Sequence, residues 1–216
     1  MLMRSRHLSS CGDIVAAHIE IVTATQGLLP APCPDCLWWQ TTQGPAQGRT
    51  RRLEWMRALE DVWGSVGLVS VEDGETVASI QFAPIRSLAR PHSLAFGQPP
   101  EDAVLLFCLR GRVGRPSIET RRLLHETMSH LRRRGVREAY AYARPLDTHS
   151  LSGVRNLFGL EFLEANGFVV ARAIDHAYLM RADLGGLLPM LAEAGSSIRR
   201  RLGERAHPSP ATFGRP

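Results

Sequence analysis

Arginine side chains are concentrated in a short turn that joins an apolar run to a long amphipathic run. The turn region contains these glycines and arginines: Arg110, Gly111, Arg112, Gly114, Arg115 and Arg121. A guanidinium group bonds two phosphate oxygens at once, and a helix that begins in the turn adds free N–H groups and the positive end of its dipole. This pattern is typical of a site that holds a phosphorylated ligand.

Side chains suited to proton transfer flank this unit. Glu101 and Asp102 lie at the start of the apolar run, and Tyr142, Asp147 and His149 lie on or just after the next one. Carboxylate, phenol and imidazole groups are common general acids and bases, so Tyr142, Asp147 and His149 are the candidate catalytic residues. Each of the five also has a structural interpretation, as a solvated strand-start charge, a packed sheet tyrosine or a solvated loop residue.

Cysteine and histidine spacings favour structural roles over a metal site. Cys33 and Cys36 have the spacing of metal ligands, but the chain has no second such pair, which predicts two thiols in a turn. Cys108 lies within an apolar run and is typical of a small core residue. His125 and His130 fall roughly 140° apart around a helix, too far to share a metal on one face, and are expected at the surface.

The helices that position these groups are indicated by apolar residues at the helical period. Leu53, Met56, Leu59 and Trp63 share one face of a helix predicted over residues 51–63, and Gly64 is placed to end it. Ser117 is a plausible N-cap of the next predicted helix. The further helices predicted are 117–134, 156–166 and 184–202, the last followed by a tail that we expect to be disordered.

Strands are indicated by alternating or continuous apolar runs between turn residues. Asp73-Gly74 between two alternating runs predicts a hairpin. The run at 137–143 places alanines on one face and tyrosines on the other. The strands predicted are 67–71, 76–83, 102–109, 137–143, 168–173 and 176–182. Residues 1–29 fit either a helix or a strand, whereas 30–50 and 84–101 are predicted to be irregular.

Composition excludes several functional classes. The 216 residues include 26 basic residues, all of them arginine, so a lysine Schiff base and a phosphate-loop lysine are excluded. The net charge of +5 is spread over the chain, which argues against a nucleic-acid stripe, although Arg199, Arg200 and Arg201 keep that alternative open. No run is long enough to span a bilayer and no leader is apparent, so we expect a cytoplasmic protein with reduced thiols.

The order of elements resembles the GCN5-related N-acetyltransferase superfamily. The resemblance rests on the segments 102–134 and 156–168, which end in Gly167-Phe168, and it covers residues 30–183. It implies an α/β (α+β) fold with a mixed, mostly antiparallel central sheet flanked by helices. Residues 1–29 would then be an N-terminal segment and 184–216 a C-terminal helix and tail. The stretches 32–39, 53–55 and 63–65 also resemble an actinobacterial branch of that superfamily.

The resemblance implies acetyl-CoA as co-substrate, no metal, and an amine acceptor that is a small molecule or a protein. In that superfamily the pyrophosphate lies on a glycine-containing loop at the start of the long helix, and an asparagine bonds the pantetheine arm. Dimers are common there, so a homodimer is expected. The residues implied to bind the cofactor are Cys108, Leu109, Arg110, Arg112, Arg115, Thr120, Arg121 and Asn156.

The chain departs from the superfamily pattern at three positions. Ile118 and Thr120 replace the two glycines of the pyrophosphate loop, and Leu163 replaces a tyrosine that many members use as general acid. The resemblance nevertheless implies an N-acetyltransferase that transfers the acetyl group directly to an amine. The alternatives that stay open are a catalytically impaired binding or regulatory module of the same fold, and a basic nucleic-acid-binding protein.

Overall fold

The structure is a computed structural model that describes residues 19–42, 48–94, 97–111, 118–145 and 157–185. Its elements are β1 (Ile19–Thr23), α1 (Arg49–Trp63), β2 (Gly67–Glu72), β3 (Glu75–Pro84), β4 (Val104–Gly111), α2 (Ile118–Arg133), β5 (Glu138–Arg144), β6 (Phe158–Gly159), α3 (Leu160–Glu164), β7 (Val169–Ile174) and β8 (Ala177–Asp183). The sheet has the strand order β1-β2-β3-β4-β5-β8-β7, and β6 pairs with β5 outside this path. All neighbours are antiparallel except β4–β5 and β5–β6.

Turn and cap residues set the element ends as predicted. Asp73 and Gly74 both have positive φ, 50° and 84°, as a two-residue hairpin turn of the primed type requires. The N–H of Gly64 donates to the carbonyl of Glu60 at 2.9 Å and ends α1. Gly135, with φ of 80°, follows α2. The predicted hairpin at 67–83 and both helix ends are therefore confirmed.

Three predicted elements differ from the structure. The ambiguous N-terminal segment contains strand β1, because Ile19–Thr23 pairs with β2. Glu101 and Asp102 form a turn in which the N–H of Ala103 donates to the carbonyl of Pro100 at 3.0 Å, so β4 begins at Val104 and continues to Gly111. The helix expected over 156–166 is shorter, since Phe158–Gly159 pairs with β5 as a strand and leaves only α3.

The C-terminal helix predicted over 184–202 lies outside the described residues apart from its first two positions. Leu184 is buried in a bend, and its N–H donates to the carbonyl of Arg137 at 2.7 Å. The expected tail and the arginines at 199–201 also lie outside the described residues, as does Ser117.

The sheet separates two clusters of buried side chains. We call the side beneath α2 the helix face; it contains Ala139, Ala141 and Ala143 of β5 together with leucines of α2. We call the other side the aromatic face; it contains Tyr140 and Tyr142 of β5, and α1 and the segment 24–42 pack against it. The predicted alternation in β5 is confirmed. On this face α2 packs against β2, β3 and β4, and α3 packs against β5.

Candidate functional site

The parallel strands β4 and β5 pair over a short distance and then separate. Their register contains only Val104–Ala139, Leu105–Tyr140 and Leu106–Ala141, yet β4 continues to Gly111 and β5 to Arg144. Beyond Leu106, one edge of β4 therefore has no strand of the described residues beside it. Such an edge offers backbone N–H and C=O groups to an extended ligand.

A bulge in β4 bends the strand where it leaves β5. Between the pairs Ser79–Arg110 and Gln81–Phe107, β4 has one residue more than β3. The additional length is taken up at Cys108, whose φ is 53°. Bulges increase local bend and twist, and this one places Phe107 and Cys108 together on the aromatic face.

Strand β6 pairs with β5 along the part of its edge where β4 is no longer paired. Ala143 pairs with Phe158 of β6 and with Tyr178 of β8, so these two strands lie on opposite edges of β5. The opening is therefore bounded by the end of β4 on one side and by β5 with β6 on the other. Its geometry suits a narrow, flexible chain that bonds along one strand.

Five residues of the predicted cofactor set are described, three on β4 and two on α2. Cys108, Leu109 and Arg110 are on the diverging half of β4, and Leu109 and Arg110 are half-buried. In the first turn of α2, Thr120 is buried and Arg121 is exposed. The structure thus brings the strand residues to the opening and places Arg121 at the surface of α2.

Several predicted site residues lie outside the described residues, and their roles stay predictions. These are Arg112, Arg115, Asp147, His149 and Asn156. Arg112 and Arg115 fall between β4 and α2, and the other three fall between β5 and β6.

Tyr142, the one described catalytic candidate, is packed in the aromatic face. Its hydroxyl donates to the carbonyl of Gly97 at 2.8 Å, and its ring stacks on Trp39 with centroids 5.9 Å apart. Burial raises the pKa of Tyr142 above its ordinary value, and the nearby charge of Arg172 acts in the opposite direction. The interpretation of Tyr142 as a packed sheet residue fits this geometry, because its hydroxyl already donates a hydrogen bond to a backbone carbonyl.

The aromatic face also contains a polar group that the sequence did not predict. A small cavity of about 10 Å³ is lined by Cys33, Cys36, Trp39, Gln40, Arg52, Gln81, Phe107 and Cys108, which we call the thiol cluster. Arg52 is only 1% exposed. Its side chain donates to the amide oxygen of Gln81 and lies over the ring of Trp55.

A signal for the burial of Arg52 is present in the sequence. Positions 52, 56 and 59 fall on one helical face, and Met56 and Leu59 are the other buried residues of α1. The predicted face included Leu53 and Trp63 instead, which are only half-buried. Arginine side chains are rarely buried in a protein interior, so position 52 was not included in the predicted buried face of this helix.

Charges in the thiol cluster are arranged around Cys33. The thiol of Cys108 hydrogen-bonds to Cys33, and this contact lowers the pKa of Cys33 to about 6, assisted by the positive charges of Arg110 and Arg52 and opposed by burial. The same hydrogen bond, together with burial, raises the pKa of Cys108. The cluster therefore favours a thiolate at Cys33 and a protonated thiol at Cys108.

The two histidines of α2 are separated as predicted. His125 is exposed and its Nε2 lies 2.8 Å from Oδ1 of Asn166. His130 is half-buried rather than at the surface: its Nε2 lies 3.0 Å from Oγ of Ser65, and burial, with Arg134 nearby, lowers its pKa. In the described part of the chain, no three His, Cys, Asp or Glu side chains are arranged to hold a metal ion.

A larger cleft lies at the other end of β4 and β5. It has a volume of about 520 Å³, and Arg86, Asp102, Arg134, Arg137 and Glu138 are among its lining residues. It adjoins the starts of β4 and β5, where these strands are paired. It is therefore separate from the opening between them.

Solved structures share this fold. A protein of Acinetobacter baylyi ADP1 named as an acetyltransferase has 11% sequence identity and a TM-score of 0.50, over 79% of this chain and 94% of that one. An N-acetyltransferase of Staphylococcus aureus Mu50 has 12% identity and a TM-score of 0.49, over 78% and 99% of the two chains. The PaiA N-acetyltransferase of Thermoplasma acidophilum, solved with coenzyme A, has 15% identity and a TM-score of 0.45, over 77% and 99%.

Sequence comparison adds no nearer relative. No protein-family model and no curated protein matches the chain. The predicted fold class, a mixed and mostly antiparallel sheet flanked by helices, is confirmed. Among the described helices, none is both long and apolar enough to cross a bilayer.

Proposed function

We propose that this chain, which has the fold of the GCN5-related N-acetyltransferases, transfers an acetyl group from acetyl-CoA to an amine. The observation that carries the proposal is the separation of β4 from β5 after Leu106 and Ala141. It leaves a strand edge for the amide-containing arm of coenzyme A. The N-terminus of α2 and the arginines at 112 and 115 follow β4 directly in the sequence. The positive end of the helix dipole and these arginines are proposed to bind the phosphates of coenzyme A.

The reaction needs mainly positioning. The amine nitrogen attacks the thioester carbonyl, the C–S bond breaks, and the CoA sulfur leaves as a thiolate that takes up a proton. Alignment of two substrates can supply much of the barrier reduction. The backbone of Leu109 and Arg110 would hold the arm of the co-substrate, and the loop containing Asp147 and His149 is where a proton-transfer group is proposed.

A titration with acetyl-CoA tests binding. A ligand at about 100 times its dissociation constant adds about 2.7 kcal/mol, which raises the midpoint of thermal unfolding by roughly 5–10 °C for a domain of this size. Arg115→Ala should reduce the rise, whereas Arg57→Ala, an exposed position on α1, should not. No rise with either acetyl-CoA or CoA would overturn the proposal.

A non-catalytic binding module of the same fold is the second candidate. Leu163, where the superfamily pattern has a tyrosine, is completely buried, and Ile118 at the start of α2 is 79% exposed. Leu163 cannot donate a proton, and Ile118 stands where the superfamily pattern has a glycine of the pyrophosphate loop. Binding of CoA without release of free thiol across a panel of amines would favour this candidate, and release that depends on the amine would exclude it.

A homodimer is proposed on the basis of strand β7. It lies at the edge of the described sheet, and Val169, Val170 and Ile174 are 55%, 45% and 38% exposed. An apolar edge strand is a template for pairing with another chain. Light scattering of the protein and of Val170→Lys should show a dimer that the substitution weakens; a monomeric parent protein would contradict the proposal.

A further inference from the structure

The thiol cluster brings three cysteines from two distant parts of the chain to one cavity. Cys33 and Cys36 lie on a turn in the segment 24–42, and Cys108 lies at the bulge of β4. All three are free thiols. Cys33 and Cys108 are 2% and 6% exposed, whereas Cys36 is half-buried. The bulge is essential to this arrangement, because it turns Cys108 toward the aromatic face.

The surroundings of these thiols contain buried polar groups without partners. Nε and Nη1 of Arg52, Nε1 of Trp39 and both side-chain polar atoms of Gln40 have no hydrogen-bond partner among the described residues. Buried donors are normally satisfied, and a guanidinium is costly to bury unless an anion faces it. The thiolate of Cys33 supplies a negative charge that acts on Arg52.

The cavity has room for one small molecule. Its volume of about 10 Å³ is close to what one water requires. Unpartnered donors around such a space can bond a molecule with oxygen acceptors. Hydrogen peroxide is little larger than water and carries two such oxygens, whereas glutathione disulfide and aromatic disulfides are far too large to enter.

We propose that Cys33 and Cys108 form an oxidation site for hydrogen peroxide, which converts the two thiols into a buried disulfide. The Cys33 thiolate attacks one peroxide oxygen, the O–O bond breaks, and the other oxygen leaves as hydroxide that is protonated to water. The thiol of Cys108 then attacks the sulfenic acid at Cys33 and a second water leaves. Two thiols lose two electrons together, and one peroxide becomes two waters. This inference does not depend on acetyl transfer.

Cys108 rather than Cys36 is the resolving thiol because of its position. It lines the same cavity as Cys33 and is buried with it, whereas Cys36 is half-buried. The turn that contains Cys33 and Cys36 is held by its own backbone bond, from the N–H of Cys36 to the carbonyl of Cys33 at 3.3 Å. A disulfide to Cys108 would join the segment 24–42 to β4 beside the opening between β4 and β5.

Peptide mapping of the full-length protein tests the pairing. Folded protein is treated with hydrogen peroxide, quenched, alkylated under denaturing conditions and digested without reduction. We expect one cross-linked peptide pair that joins Cys33 to Cys108, retained in Cys36→Ser and lost in Cys33→Ser and Cys108→Ser. A link between Cys33 and Cys36, or sulfenic acid without any link, would overturn the assignment.

Two further arms keep the test decisive if a cysteine variant folds poorly. With the unmodified protein, an aromatic disulfide reagent should react with Cys33 at least about tenfold more slowly than with the same residue in denaturant, while peroxide still forms the link. Equal rates would contradict a restricted cavity. At about pH 5, below the Cys33 pKa of about 6, Arg52→Met should slow the link about tenfold for each unit by which that pKa rises. Arg51→Met, exposed on the same helix, is the matched control, and an unchanged rate in Arg52→Met at this pH would argue against thiolate activation.

Discussion

The two faces of the sheet are built from different side chains and serve different ends. Beneath α2, the helix face contains the fully buried Leu123, Leu124 and Leu131 in one cluster with the alanines of β5. The aromatic face combines Trp39, Phe107 and Tyr142 with the thiol cluster. The first is a hydrocarbon interior that gains stability from burial. The second leaves charged and polar groups inside, which costs stability.

The contrast indicates where stability and chemistry are located. Residues that pack without polar atoms can be exchanged only at the expense of the fold, whereas buried polar groups without partners mark places that a ligand or a reaction can use. In this molecule the helix face supports the opening between β4 and β5 from one side. The aromatic face supplies the reactive groups beside it.

The largest expected effect is on the helix face. Leu124→Ala should lower the free energy of unfolding by about 2–5 kcal/mol, since it removes buried methyl groups and leaves a cavity. Arg122→Ala, an exposed neighbour on α2, should change it by less than about 0.5 kcal/mol. Denaturant unfolding measures both. A loss below about 1 kcal/mol for the leucine variant would show that the face repacks and that the contrast is weaker than drawn.

The reactivity of Cys33 should have an unusual dependence on pH. Cys108, Arg110 and Arg52 lower the pKa of Cys33 to about 6, and burial opposes them. The thiolate is lost as the pH falls through that value. The rate of peroxide oxidation should therefore be nearly level at and above neutral pH and fall below it, whereas an unperturbed thiol rises through about pH 8.5. Stopped-flow measurement of disulfide formation between about pH 5 and about pH 9 gives the profile.

A smaller effect on stability is expected at Tyr142, a polar side chain of the aromatic face that has a hydrogen-bond partner. Tyr142→Phe removes the hydrogen bond to the carbonyl of Gly97 and keeps the ring stacked on Trp39, so it should cost about 1 kcal/mol of stability. Tyr178→Phe, on the half-buried β8 position, serves as the control. If acetyl transfer were abolished in Tyr142→Phe without a change in CoA binding, the packed interpretation of Tyr142 would be wrong.

The smallest change is expected from a pair of substitutions inside the thiol cluster. Replacing Arg52 and its acceptor Gln81 together by methionine removes a buried charge and both members of a hydrogen bond. Such replacements are close to neutral or stabilising, so the free energy of unfolding should stay within about 1 kcal/mol or rise. A loss above about 3 kcal/mol would mean that the cluster contributes to the fold as strongly as the helix face does.

Elements whose residues follow a strict period could be predicted from the sequence. The Asp73-Gly74 hairpin, the end of α1 at Gly64 and the two-sided strand β5 all depend on local sequence, and all are confirmed. The short helix α3 could not be predicted, because β6 forms only when β5 offers a free edge at Ala143. That edge exists through the departure of β4, which is a tertiary event.

The candidate site was predictable in part for the same reason. Cys108, Leu109 and Arg110 were placed on the correct strand, since a continuous apolar run indicates a buried strand. The bulge itself left no trace, because Phe107, Cys108 and Leu109 are all apolar and would suit either face. The burial of Arg52 depends on thiols that are far away in the sequence, so no local pattern could indicate what its charge faces.

The left-handed backbone conformation of Cys108 in β4 also constrains which mutations of the gene preserve this arrangement. In a regular strand position 108 would point beneath α2, and the additional residue alone brings it to the opposite side. An in-frame loss of one codon in this stretch would restore regular alternation and exchange the sides that these neighbouring side chains occupy. Such a deletion would remove the pairing of Cys33 with Cys108 while both cysteine codons remained intact.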